Sequence, residues 1–341
     1  MKSMKPSSVI FGCSGTVLSR EEYKFFSEVN PLGFILFQRN CENSEQVKEL
    51  IISLRDVVNR KDAPILIDQE GGRVQRLKPP HWRPAPAALN FYYLYEQDKL
   101  RAIEAVWLNS RLIAHELADL GINIDCAPVL DLLESGSDQV IGDRSYGSDP
   151  FVVSALASAA CDGFLSGGVI PVIKHIPGHG RASVDSHEEL PYVETDEQTL
   201  MRSDFIPFKN LCKMPWAMTA HIIFKSLDQK KPATLSSEVI SLIRNKIGFD
   251  GVLITDDLSM RALSGPYKRR GEEAIIAGCD LVLHCNGNLD EMTQVILGCG
   301  PISDKSEKRI EKAGRTSLKK FRKLDFDYSE GVQKLKLLMK Q

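Results

Sequence analysis

VIPVIKHIPGHG, residues 169–180, opens on a near-continuous apolar run and passes through two ionisable side chains, Lys174 and His175, into a turn rich in Pro and Gly. Short runs of Val, Ile and Leu that do not alternate with polar residues are those of strands buried on both faces, as in parallel sheet. Working outward from 169–175, comparable runs recur at 9–12, 33–37, 64–68, 122–128, 217–221, 251–256 and 280–285, eight in all. Stretches with helical spacing lie between them at 44–57, 100–120, 149–165, 196–212 and 236–247, with Asn43 or Ser44 and Ser236 placed as N-caps. Eight strands alternating with helices predict an α/β fold, a single (β/α)8 TIM-type barrel with extended βα loops. An open doubly wound sheet is the rival, but it needs a glycine-rich phosphate turn after its first strand, and FGCSGT at 11–16 matches that only in part.

The 341 residues suit one such barrel spanning 1–341, followed within it by a charged helix at 302–324 and a helical tail at about 326–341. Apolar and lysine residues at helical spacing over 332–340 suit a packed terminal helix better than a membrane-surface one. With 43 Lys and Arg against 45 Asp and Glu and no basic block, nothing obvious would neutralise nucleic-acid phosphates, so no nucleic-acid partner is expected. No run reaches the length of a membrane span, and polar residues interrupt the first fifteen positions where a signal peptide would need an apolar stretch. The eight cysteines form no CxxC pair and sit mostly in apolar runs, as buried thiols do in a reducing compartment. A cytoplasmic monomer without a membrane partner is therefore expected.

In a barrel the strand C-termini converge on one mouth, so what stands there carries the chemistry. Asp68 ends the third run and is followed by Glu70, Arg73 and Arg76; Asp131 lies just past the fourth; Lys174 and His175 end the fifth, His221 the sixth, and Asp256 and Asp257 the seventh. Any one of them has a bland reading. Asp68 or Asp131 could pair with an arginine or cap a helix, His221 could be a core histidine, Asp257 a turn former, and Arg144 a brace for its own loop. Ionisable groups at five strand ends are hard to assign to packing. His175, His179 and His187 first suggest metal ligation, but Pro177, Gly178 and Gly180 forbid the helix that would align the first two, and no metal is expected. Asp185 and His187, two apart, can pair so that the carboxylate raises the imidazole pKa and makes it a proton donor. Gly178 and Gly180 suggest a loop that moves or passes close to a ligand. Asp256, the first residue beyond an apolar strand, can attack an electrophilic carbon across the mouth. Lys174 could instead form an imine, the reading of a Schiff-base lyase, and an inactive sugar-binding barrel is a further alternative.

The motifs ILFQRN (35–40), ILIDQEGGRVQRL (65–77), APVLDL (127–132), IGDRSYGSDP (141–150), KHIPGHG (174–180), DSHEELP (185–191), MTAHIIF (218–224), PATLS (232–236), ITDDLSM (254–260) and AGCDLVLHCN (277–286) occur in one order. Together they resemble the β-N-acetylglucosaminidases of glycoside hydrolase family 3, in their single-domain NagZ type, over about residues 8–325. Ile176 stands where that family more often has phenylalanine, and the apolar Leu132 and Leu133 replace a more polar stretch. The resemblance implies a retaining hydrolase for terminal, non-reducing β-linked N-acetylglucosamine that needs no metal or organic cofactor. It implies Asp256 as nucleophile, His187 as general acid/base and Asp185 as its partner. Asp68, Arg76, Arg144, Lys174 and His175 match positions that hold the sugar, and Asp131 and His221 lie in matching segments. Relatives with a second domain draw a carboxylate acid/base from it; here the Asp185–His187 pair is expected to supply the proton. The implied natural substrate is a muropeptide fragment, N-acetylglucosamine linked to anhydro-N-acetylmuramic acid with or without a stem peptide, in cell-wall recycling.

Overall fold

The eight apolar runs become β1 (Ser7–Gly12), β2 (Pro31–Leu36), β3 (Ile65–Ile67), β4 (Ile124–Asp125), β5 (Ile170–Ile176), β6 (Trp216–Thr219), β7 (Val252–Asp257) and β8 (Leu281–His284). Each pairs in parallel with its neighbours in chain order, and β8 closes onto β1 to complete a barrel. The computed structural model describes residues 5–134, 140–182, 184–186, 188–321 and 326–340. Successive side chains of a strand point to opposite faces, so a strand buried on both sides feeds two cores. Ile10, Ile35, Leu66, Ile124, Val172, Met218 and Ile254 fill the barrel interior. Their neighbours Phe11, Phe34, Ile67, Ile173, Leu253 and Val282 pack outward under the helices. Ile302, Ile310 and Ala313 join the interior group and plug its N-terminal end.

Capping side chains start the helices. Asn43 accepts the Gln46 N–H at 3.0 Å to open α2 (Ser44–Val57), after a first helix, α1 (Arg20–Val29), that the run analysis passed over. Its signal was present: Ser19 and Glu22 form a reciprocal capping box. The proline-rich stretch 78–87 is followed by α3 (Ala88–Gln97). Asp98 then caps α4 (Lys99–Leu120), and Asp149 caps α5 (Pro150–Ser166). The single helix expected over 196–212 is two short ones, α6 (Glu197–Arg202) and α7 (Ile206–Asn210). Pro207 has no N–H to continue a helix and sits in the first turn of the second, which it suits. Ser236 caps α8 (Ser237–Leu242), which runs on through a wider turn to Ile247. α9 (Tyr267–Ala277) and α10 (Leu289–Gly298) flank β8.

The charged helix is α11 (Asp304–Lys320), and the tail is α12 (Tyr328–Leu338). The tail packs on α4: Tyr328 donates to Glu116 at 2.5 Å and stacks on His115, while Lys334 pairs with Glu104. No helix among the described residues is long and apolar enough to cross a membrane. All eight cysteines are unpaired.

Candidate active site

Inward-facing residues at the strand ends meet at the C-terminal mouth. Ile254 points inward on β7, so Asp256 two residues on does the same. Lys174 follows Val172 inward on β5 for the same reason, and Asp68 is the inward residue just past Ile67. These three border a cavity of about 430 Å³, with Arg76, Arg144, His175 and Asp185 on its walls.

A hairpin after β3, Gln69–Gly71 paired antiparallel with Val74–Gln75, presents the acidic side of this mouth. Two buried glutamines hold it. The Gln69 side-chain oxygen accepts the N–H groups of Arg76 and Leu77, and the Gln75 amide donates to Leu77 and Arg83 carbonyls. Gly71 has φ +99°, and a Cβ there would lie 2.4 Å from the Pro86 carbonyl oxygen, so the tight return demands glycine.

Lys174 Nζ lies 2.8 Å from Asp68 Oδ1 and 2.6 Å from Glu70 Oε1. Arg76 donates to the other Asp68 oxygen at 3.0 Å, and Arg144 grips Glu70 through two bonds of 2.8 Å. Burial works to raise both carboxyl pKa values, but the cations prevail: Lys174 and Arg76 hold Asp68 well below the carboxylate range, and Arg144 and Lys174 hold Glu70 at about 2. Burial likewise works against the Lys174 ammonium, yet Asp68 and Glu70 raise its pKa above that of ordinary lysine. An amine held so firmly protonated is no nucleophile, which removes the physical basis of the imine reading. Arg144 therefore braces Glu70 while bordering the cavity, and its neighbour Asp143 pairs with Arg73 at 2.8 Å.

Asp131 and His221 are at the mouth but behind its wall. The Asp131 carboxylate accepts from His175 Nδ1 at 2.6 Å, from the His175 N–H and from the His179 N–H at 2.7 Å. Those three contacts keep it ionised against burial, with a lowered pKa. It holds His175 in place, and His175 faces the cavity. The His221 ring spans Thr234 Oγ1, at 2.7 Å, and the Asp257 carbonyl, at 3.0 Å, and burial lowers its pKa. Asp257 in turn binds Ser259 and the Cys285 N–H, the turn-forming role its position suggested. Asp256 Oδ1 accepts the Asp257 N–H at 2.8 Å.

Of the three histidines weighed as metal ligands, His175 directs a ring nitrogen at Asp131, and His179 directs Nε2 at Ser186 Oγ, 2.9 Å away. His187, with Ser183, lies outside the described residues. Gly180 explains itself differently from expectation. A Cβ there would sit 2.2 Å from the Leu132 carbonyl oxygen, so the chain's own backbone already requires glycine at this position.

Sequence reasoning placed Glu70 in the cluster but assigned it no role. Asp68 and Glu70 are two apart in an extended segment, a spacing that puts both carboxylates on one side.

The chain matches the model of the glycosyl hydrolase family 3 N-terminal domain over residues 15–314. It is 39% identical over 286 residues to a beta-hexosaminidase of Alkalilimnicola ehrlichii, covering 82% of this chain and 80% of that one. A beta-hexosaminidase of Haemophilus influenzae is 36% identical over 288 residues, with the same coverage of 82% and 80%. The crystal structure of NagZ from Neisseria gonorrhoeae in complex with N-trifluoroacetyl-D-glucosamine superposes with a TM-score of 0.87 at 29% identity, over 99% of each chain. A closed parallel barrel, a charged mouth at its strand C-termini and the match across most of its length make this chain a glycoside hydrolase belonging to glycosyl hydrolase family 3.

Proposed function

We propose that the chain is a retaining exo-β-N-acetylglucosaminidase that frees terminal, non-reducing N-acetylglucosamine. Its natural substrate is the peptidoglycan fragment in which that sugar is linked to anhydro-N-acetylmuramic acid, with or without a stem peptide. The protein works as a cytoplasmic monomer in cell-wall recycling. The observation that carries the activity is the inward-facing Asp256, on the wall of one cavity with Asp185 and with the Lys174, Asp68 and Arg144 network.

In this reading Asp256 attacks the anomeric carbon as the bond from that carbon to the aglycone oxygen breaks. His187, partnered by Asp185, gives its proton to the departing oxygen. Water then adds to the anomeric carbon, His187 takes a proton from it, and Asp256 leaves as the carboxylate. The fixed carboxylates at the mouth favour the oxocarbenium-like transition state without reorganising. Asp68, Arg76, Arg144, Lys174 and His175 hold the sugar hydroxyls. No step draws on a metal or an organic cofactor.

Hydrolysis of a 4-nitrophenyl β-N-acetylglucosaminide tests the reading. Asp256→Asn is expected to lower kcat on the order of a thousandfold or more while leaving the fold intact. A 5-fluoro glycosyl donor is expected to add one sugar mass to the peptide that contains Asp256. Full activity in Asp256→Asn, or a label on another peptide, counts against the assignment.

A further inference from the structure

The Asp131 carboxylate gathers the backbone N–H groups of His175 and His179, and from His179 the contacts run on to the segment that carries Asp185. His179 Nε2 and Ser186 Oγ are 2.9 Å apart, and both side chains are buried, each residue 2% exposed. The Ser186 carbonyl accepts the Ala262 N–H, at 3.3 Å, from the loop that follows β7. Ser186 is thus tied on its side-chain face to the segment after β5 and on its backbone to the segment after β7, the strand that carries Asp256.

We propose that His179 and Ser186 form a positioning pair that sets the 185–187 segment against the cavity, so that the proton donor is delivered at the distance the leaving oxygen requires. The proposal rests on the acid/base reading above. Ser186 is the covalent neighbour of both Asp185 and His187. His179 Nδ1 has no hydrogen-bond partner among the described residues, which leaves Ser186 Oγ as the polar anchor of a buried ring. Buried polar groups that lose their one partner carry the desolvation cost, so the pair is specific rather than interchangeable with water contacts. Burial and the adjacent His175 hold the His179 pKa at about 4, so the ring is neutral near pH 7 and keeps one nitrogen as donor and the other as acceptor.

Ser186→Ala, Ser186→Thr, His179→Gln and His187→Ala are compared on two substrates: the nitrophenyl glycoside, whose leaving group barely needs a proton, and an alkyl β-N-acetylglucosaminide, whose leaving group does. Ser186→Ala is expected to lose about 10- to 100-fold in kcat on the alkyl substrate, a part of what general acid catalysis contributes, and less than about threefold on the aryl one. KM stays unchanged. Ser186→Thr, which keeps the hydroxyl, and His179→Gln, whose amide reaches the position of Nε2, restore most of the alkyl activity. If His187→Ala shows the leaving-group bias but Ser186→Ala loses both activities equally or neither, the positioning pair is overturned alone. If His187→Ala itself loses both substrates equally, the acid/base reading and the pair fall together.

Discussion

At Lys174 an ammonium group almost without solvent contact lies between two carboxylates, each of which also holds an arginine. Charges buried in this way are maintained by one another, and removing one partner strands the rest. Lys174→Met is therefore expected to cost about 3 to 5 kcal/mol of stability at neutral pH in urea unfolding. The effect on acid unfolding follows from the same pair. Asp68 and Glu70 have depressed pKa values, so their contribution to stability is whole above the ordinary carboxylate pKa near 4 and is lost as pH falls toward about 2, the Glu70 value. Without Lys174 both carboxyls titrate higher, and the acid-unfolding midpoint moves up in pH. A variant as stable as the parent, unfolding at the same acid pH, would show that the network contributes nothing.

Elements matter through where they touch. The segment after β5 carries His179, Asp185 and Ser186, and it threads past the segment after β4 closely enough that Gly180 has no room for a side chain beside Leu132. The two segments are also joined through Asp131. In Gly180→Ala the new Cβ would lie 2.2 Å from the Leu132 carbonyl oxygen, so the two segments must move apart, and misplacing catalytic groups by about 1 Å can cost around a hundredfold. The expected outcome is a kcat/KM reduced by roughly that factor on the nitrophenyl substrate, with near-parental far-UV circular dichroism. Unchanged kcat/KM would mean that the approach of the two segments does not govern the site.

Across the whole molecule the mouth and the outer helical layer are separable. The tail α12 binds α4 on the barrel's flank through Tyr328 and Glu116, and neither residue borders the cavity. Tyr328→Phe removes that hydrogen bond and leaves a largely buried Glu116, whose pKa burial already raises. It should lower stability by about 1 kcal/mol, read as a shift in the urea midpoint, with kcat and KM unaltered. A change in kcat without a change in midpoint would reveal coupling between the tail and the mouth.

Local order along the chain was enough to define the barrel. Strand burial on both faces leaves a continuous apolar run, and the regular alternation of strand and helix permits few topologies. The inward direction of Asp68, Lys174 and Asp256 followed from the same two-residue periodicity, because a barrel turns every strand end toward one mouth. What each of those groups touches is a matter of distant segments meeting. Glu70 and Arg144 are 74 positions apart, Asp68 and Lys174 are 106 apart, and Asp131 and His175 are 44 apart, so no local pattern could pair them. The crowding at Gly180 was likewise decided in three dimensions. Propensity and periodicity act within a few residues, whereas charge pairing and close approach depend on which loops the closed barrel brings side by side.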